Sequence, residues 1–355
     1  MRVLFSIIIV FIFASGCKEH VVQPVVSKES KIRPAKGYAQ HDWQMDSIYK
    51  RLQLQDTVNG LQWKAAISPH DNYSFTGQLY YESLRGINAP NIILIGVAHR
   101  ARNFNLQDKI VFGSYDEWES PYGGIKVGSL GNAIMSRLPA NDFVVHDSMQ
   151  LIEHSLEAII PWLHKKNRTA EITPILVPYM NYDGIDAISG NLAKAVHEIM
   201  KVKKWTFGKD VAVVISNDAV HYGDQEWGNN TAMAPFGIDS VGTEKARQLD
   251  LEIIANCLTK DITPEKIKLF TEYTVQKEDY KEYKWVWCGR YSVPFGVSFA
   301  NKLNLLENKE MLTGTFLGYQ TSIDHPHTEV EDLGMEINAL TTNRHWVAYT
   351  SIVYE

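Results

Sequence analysis

Residues 91–97 read Asn-Ile-Ile-Leu-Ile-Gly-Val, an apolar run without polar alternation. A strand with one wet face alternates, so such a run belongs to a strand covered on both faces, as in parallel sheets packed between helices. Residues 211–215 repeat the pattern, and 61–67 and 171–177 supply weaker versions of it. Further strands are predicted over 143–146, 313–321 and 346–354, and helices over 76–85, 126–138, 155–165, 185–203, 243–258, 264–273 and 294–306. The alternation predicts a single three-layer α/β/α domain with a mostly parallel central sheet, spanning 41–355. The acidic loop 323–342 has the length of a functional lid.

The N-terminus reads differently. Arg2 precedes an apolar run from Val3 to Phe13 that is too short to cross a bilayer, and Ala14-Ser15-Gly16 then lead to Cys17. This resembles the lipobox of bacterial lipoproteins. It predicts a signal peptide over 1–16 and a lipidated Cys17 opening a flexible tether over 17–40. Lys18, where sorting to the inner membrane would favour Asp, resembles an outer-membrane signal. The expectation is a domain anchored to the bacterial envelope through the lipid on Cys17. No later stretch holds 18 consecutive apolar residues, and a net charge of −6 gives no nucleic-acid footprint.

Polar residues collect just past the apolar runs, in Ser68-Pro69-His70-Asp71-Asn72-Tyr73, Gly96-Val97-Ala98-His99-Arg100 and Ser216-Asn217-Asp218-Ala219-Val220-His221. Ends of neighbouring strands converge in space, which is how α/β proteins build sites. Neutral imidazole is a common ligand for iron, copper and zinc, and Cys288 can add an anionic thiolate to His70 and His99. Three protein ligands leave a position open, as catalytic sites do. Asp218 and His221, three apart, are spaced for the carboxylate to orient the imidazole as a general base. His154, with Glu153 and Glu157, either lines the same cleft or caps a helix. Cys257 falls in a helix and reads as core; an oxidising compartment would permit its pairing with Cys288. His325-Pro326-His327 reads as an exposed turn. Gly-x-Ser-x-Gly, Gly-x-Gly-x-x-Gly, Walker and Cys-x-x-Cys patterns are absent from the sequence.

Six segments together resemble one family. Pro69-His70-Asp71-Asn72-Tyr73-Ser74-Phe75-Thr76-Gly77 is similar to Pro-His-Ala-Gly-Tyr-x-Tyr-x-Gly, and Gly96 to His99 to Gly-Pro-Ser-His-His. Glu153-His154-Ser155-Leu156-Glu157 with Pro161 resembles Glu-His-Ser-x-Glu-x-x-x-Pro. Ile172 to Val177, Ser216 to Gly223 and Cys288-Gly289-Arg290 follow in order. The family is the Memo-like family, named in bacteria as AmmeMemoRadiSam system protein B. The resemblance implies a fold similar to class III extradiol dioxygenases and one transition metal ion, iron or copper, with zinc as the softer alternative. It implies His70, His99 and Cys288 as ligands, His221 as the proton-transfer histidine and Asp218 as its neighbour. Tyr73, Arg100 and His154 are expected to meet the substrate. Arg100 stands where relatives have histidine and suits an anion. A redox metalloenzyme, a binding protein for a peptide or metabolite, and a metal-capture protein are the functions this leaves.

Overall fold

A computed structural model describes residues 30–35, 37–55, 60–224, 233–335, 337 and 341–355. The expected signal peptide, Cys17 and the tether as far as residue 29 lie outside them.

Four parallel strands form the centre: Ala65–Ser68 (β1), Asn91–Val97 (β2), Glu171–Val177 (β3) and Val211–Ser216 (β4). Their spatial order is β3-β2-β4-β1. Thr313–Thr321 (β5) and His345–Tyr354 (β6) extend the β1 side, β6 antiparallel to both β1 and β5. The unbroken apolar runs do what their pattern predicts. Ile93, Ile95, Val213 and Ile215 pack to one side with the helices Tyr182–Lys203 and Ser292–Asn308. Ile92, Leu94, Ala212 and Val214 pack to the other with Asp42–Arg51 and Tyr73–Leu84. Truncating a fully buried residue such as Ile95 to alanine would cost about 2–5 kcal/mol. The α/β class with helices on both faces of a mostly parallel sheet is therefore as expected.

Several local expectations fail for physical reasons. The region 126–138 is not one helix: Gly123–Val127 is a strand paired with Glu117–Ser120 and with β3, and the helix begins at Leu130. The helix expected over 155–165 begins only at Ile160, with Pro161 in its first turn. Before it, backbone N–H groups of His154 and Ser155 donate to the Glu153 carboxylate, and Ser155 Oγ donates to the Val97 carbonyl. The polar groups of that stretch are thus committed to the end of β2.

Residues 32, 33 and 38, within the expected tether, pack against the domain. Ile32–Arg33 pairs in parallel with Glu117–Trp118, Arg33 is 1% exposed, and the Tyr38 hydroxyl donates to the His70 carbonyl at 2.7 Å. The described part of the 323–342 loop packs on helices rather than over a cleft. Arg51 pairs with Asp332, Gln44 donates to the Leu333 carbonyl, and the His327 ring rests edge-on against Phe75. Cys257 and Cys288 are both free thiols, and Cys257 is a core residue.

Candidate metal centre

Three adjacent strands deliver the site. β2, β4 and β1 run parallel side by side, so their C-terminal ends open along one edge. Two residues past each end stand His99, Asp218 and His70, respectively. Cys288 arrives on a separate loop. Val220 bridges Trp287, and the Cys288 N–H donates to the Asp218 carbonyl at 3.1 Å. Glycine at 289 permits the approach, because a Cβ there would lie 2.2 Å from Asn217 Oδ1. Behind this loop the buried Asp250 carboxylate accepts from Trp285 Nε1 at 2.7 Å, Trp287 Nε1 at 2.6 Å and Tyr319 Oη at 3.0 Å.

The donor atoms converge. His99 Nε2 is 2.6 Å and His70 Nε2 3.4 Å from Cys288 Sγ, and the three ligand atoms lie within 4.8 Å of one another. The ring orientations follow from hydrogen-bond counting. Ser216 Oγ lies 2.6 Å from the Ser155 carbonyl, which can only accept, so the hydroxyl proton goes there. Toward His70 Nδ1, at 2.7 Å, Ser216 Oγ must then accept. The proton of His70 therefore sits on Nδ1 and a lone pair on Nε2. His99 Nδ1 lies 2.7 Å from Glu153 Oε1, and an ionised carboxylate accepts, so Nδ1–H is fixed there too. Both imidazoles turn Nε2 toward the thiol, the arrangement in which outer hydrogen bonds orient metal-ligating histidines.

Charges around the site follow from burial and contact. Burial opposes a charge on Glu153, but His99 and the N–H donors outweigh it and hold the carboxyl down at about 2. Burial disfavours the charged form of His99 too, yet Cys288 and Glu153 on either side raise it well above its ordinary value. His70 is lowered by burial and by the neighbouring histidines, so it stays neutral. Burial raises the Cys288 thiol, with His99 pulling the other way. Burial and the nearby Asp71 push Asp218 well above the carboxylate range. Asp218 Oδ1 accepts from the His70 N–H at 3.0 Å, and Oδ2 lies 3.2 Å from His70 Nε2. A protonated Asp218 can donate to that lone pair.

A cavity of about 620 Å³ opens onto these atoms, walled by Tyr38, Asp71, Arg100, His154, His221 and Tyr283 among others. Arg100, His154 and His221 are thus brought to one cavity. His154 stacks on His99 with ring centres 4.5 Å apart, resolving the cleft-or-cap alternative toward the cleft. With His99 and Glu153 it forms a second group of possible ligands, but Glu153 already holds the His99 Nδ1 proton.

One expectation is corrected. Tyr73 is 2% exposed, donates to the Ala158 carbonyl at 2.7 Å and packs among Tyr38, Tyr80 and Trp162, behind the wall and not lining the cavity itself. Beyond the local spacing to His221, the Asp218 carboxylate also contacts His70, a contact the sequence reading did not include. The orienting roles of Ser216 and Glu153, and the presence of Tyr38 in the wall, escaped the sequence reading. A serine closing a strand in the segment that also holds Asp218 and His221 was the available signal for Ser216.

The donor set fits a transition metal: two imidazoles with fixed tautomers and one thiol converge at the mouth of a cavity. A sequence model of the family described as Memo-like protein matches residues 36–334. A MEMO1 family protein of Pyrococcus horikoshii is 24% identical over 282 residues, 79% of this chain and 87% of its own length. Those of Pyrococcus abyssi and Pyrococcus furiosus are 24% and 26% identical, over 76% and 52% of this chain and 84% and 62% of theirs. The match runs through all the segments that build the site, and the chain belongs to the Memo-like protein family.

Proposed function

We propose that this protein holds one transition metal ion, iron or copper, through His70 Nε2, His99 Nε2 and Cys288 Sγ, and performs redox chemistry on a small ligand in the adjoining cavity. One observation carries this reading: both Nδ1 protons are committed, to Ser216 and Glu153, so both Nε2 atoms face the thiol. When bound, such an ion supplies an open coordination position and one-electron chemistry; zinc in the same site would supply only the first.

The protein's own groups have defined tasks around it. His221 borders the cavity, and burial together with His99, His345 and His154 lowers it to about 3. It is therefore neutral at pH 7 and suited to exchanging a hydrogen bond with a ligand, with only weak basicity of its own. Asp71, which accepts from Tyr349 at 2.6 Å, and Asp218 bring two carboxyl groups, both raised by burial, to the same wall. Arg100 brings a permanent cation to the rim for an anionic ligand. The lipobox-like Cys17 supports attachment to the bacterial outer membrane; Cys17→Ala should release the protein from the membrane fraction, and unchanged partitioning would refute the anchor.

Thiol alkylation tests the metal reading without an assay of turnover. Metal-free protein should label at Cys288, and loading with Fe(II) or Cu(I) should block it. Cys257 stays silent because burial pushes its thiol up to about 12. Equal labelling with and without metal would refute the assignment. The same contacts favour a second reading, in which Cys288, His99 and Glu153 form a metal-free relay for a nucleophilic thiol. That reading requires labelling that slows in His99→Ala and ignores metal. Non-catalytic capture of a peptide, metabolite or metal in the same cavity instead requires affinity that survives His221→Ala with no turnover.

A further inference from the structure

A second cavity, of about 280 Å³, shares the wall formed by His99, Arg100, Tyr283 and Cys288 with the first. The rest of its lining comes from the ends of β2 and β3 and from residues 281–291. Its charge is lopsided. Arg100, Arg102, Lys281 and Arg290 line it, against a single carboxylate, Glu282. Glu282 is already taken by Arg102 at 2.6 Å. Among the described residues, Arg100, Lys281 and Arg290 have no ion-pair partner.

Arg290 is the informative member. It is 5% exposed, and a guanidinium keeps its charge in a protein. A buried charge is ordinarily matched by a carboxylate or a full set of hydrogen bonds. Here Nη2 donates to the Lys281 carbonyl at a long 3.3 Å, and the buried Nε has no hydrogen-bond partner. The cation is held instead by ring faces, its carbon 3.3 Å from the Tyr283 centroid and 4.7 Å from that of Tyr291. Aromatic faces steady a guanidinium and fix its plane without neutralising it. The result is an oriented cation with uncommitted donor capacity beside a cavity that two further unpaired cations line.

We propose that this second cavity binds the oxyanion group of a small molecule, a carboxylate or a phosphate, with Arg290 as the anchoring cation and Arg100 and Lys281 reinforcing it. The size favours a small anion, since pockets for drug-sized molecules begin at about 300 Å³. The site does not depend on the metal reading. Because Cys288 and His99 border both cavities, an occupied second cavity would hold its anion against the far wall of the proposed metal centre.

Calorimetric titration of metal-free and metal-loaded protein with inorganic phosphate, benzoate and neutral benzamide tests this. Saturable binding of at least one anion, none of benzamide, and weakening at higher ionic strength are expected. The tighter of the two anions identifies the group. Arg290→Gln should weaken binding by about tenfold or more. Should Arg290→Gln fail to fold, the Arg100→Ala/Lys281→Ala pair should still weaken binding by about threefold. No saturable binding of either anion, or affinity unchanged in both variants, would overturn the proposal. His70→Ala separates the two readings, because His70 does not line this cavity: metal loss there should leave anion affinity intact.

Discussion

Glu153 and Asp250 are 2% and 0% exposed, and both accept several hydrogen bonds, yet their environments push them in opposite directions. Glu153 faces His99, which can carry a positive charge, and its carboxyl falls to about 2. Asp250 receives only neutral donors, from Trp285, Trp287, Tyr319 and the Val220 N–H. Burial wins there, and the carboxyl rises to about 6. The contrast separates two jobs. Glu153 orients a proposed metal ligand and raises its basicity. Asp250 clamps the loop that brings in Cys288 to Val220, next to His221, and touches none of the three proposed ligands.

The largest expected difference is in metal affinity. Glu153→Gln should weaken binding by about 10–100-fold, the usual effect of removing an orienting partner of a ligating histidine. Asp250→Asn should leave affinity nearly unchanged. Competition with a chromophoric chelator measures both, and equal losses would break the comparison.

Stability against pH should differ in sign. The folded-state carboxyl of Glu153 is depressed, so it contributes about 3 kcal/mol above its unfolded value of 4.5, lost as pH falls toward 2. The folded-state carboxyl of Asp250 is raised, so its favourable contribution, also about 3 kcal/mol, is present below 3.8 and lost as pH rises through 6. In urea unfolding of metal-free protein, wild type should lose its advantage over Glu153→Gln at low pH. Its advantage over Asp250→Asn should shrink at high pH instead. The same direction of change for both variants would show that His99 does not set the environment of Glu153.

Ser216→Ala should fall between these two. It removes a neutral orienting hydroxyl from His70 and should cost metal affinity near the lower end, about tenfold. A loss exceeding that of Glu153→Gln would mean that the His70 side, not the His99 side, controls the centre.

The sequence reveals some of this and hides the rest for identifiable reasons. Apolar runs without alternation announce strands covered on both faces, and ligands two residues past those runs share an edge once the strands are parallel neighbours. The contact of Asp218 with His70 was not legible, because it arises from the strand order β4-β1 and not from a local interval. Arg33 and Tyr38 sit in a polar stretch whose composition matches a tether. The pairing of Ile32–Arg33 with Glu117–Trp118, the buried contact of Arg33 with Glu157 and the Tyr38 hydrogen bond to His70 tie it down. Tyr73 carries the family motif but faces the core because it starts a helix whose first turn is buried.

Elemental analysis of protein purified without oxygen tests the central claim most directly, with wild type compared against His70→Ala/His99→Ala and Cys288→Ala. A single iron or copper per wild-type chain and nearly none in the variants is the expected result. Equal metal content in all three proteins would contradict the assignment of these residues as its ligands.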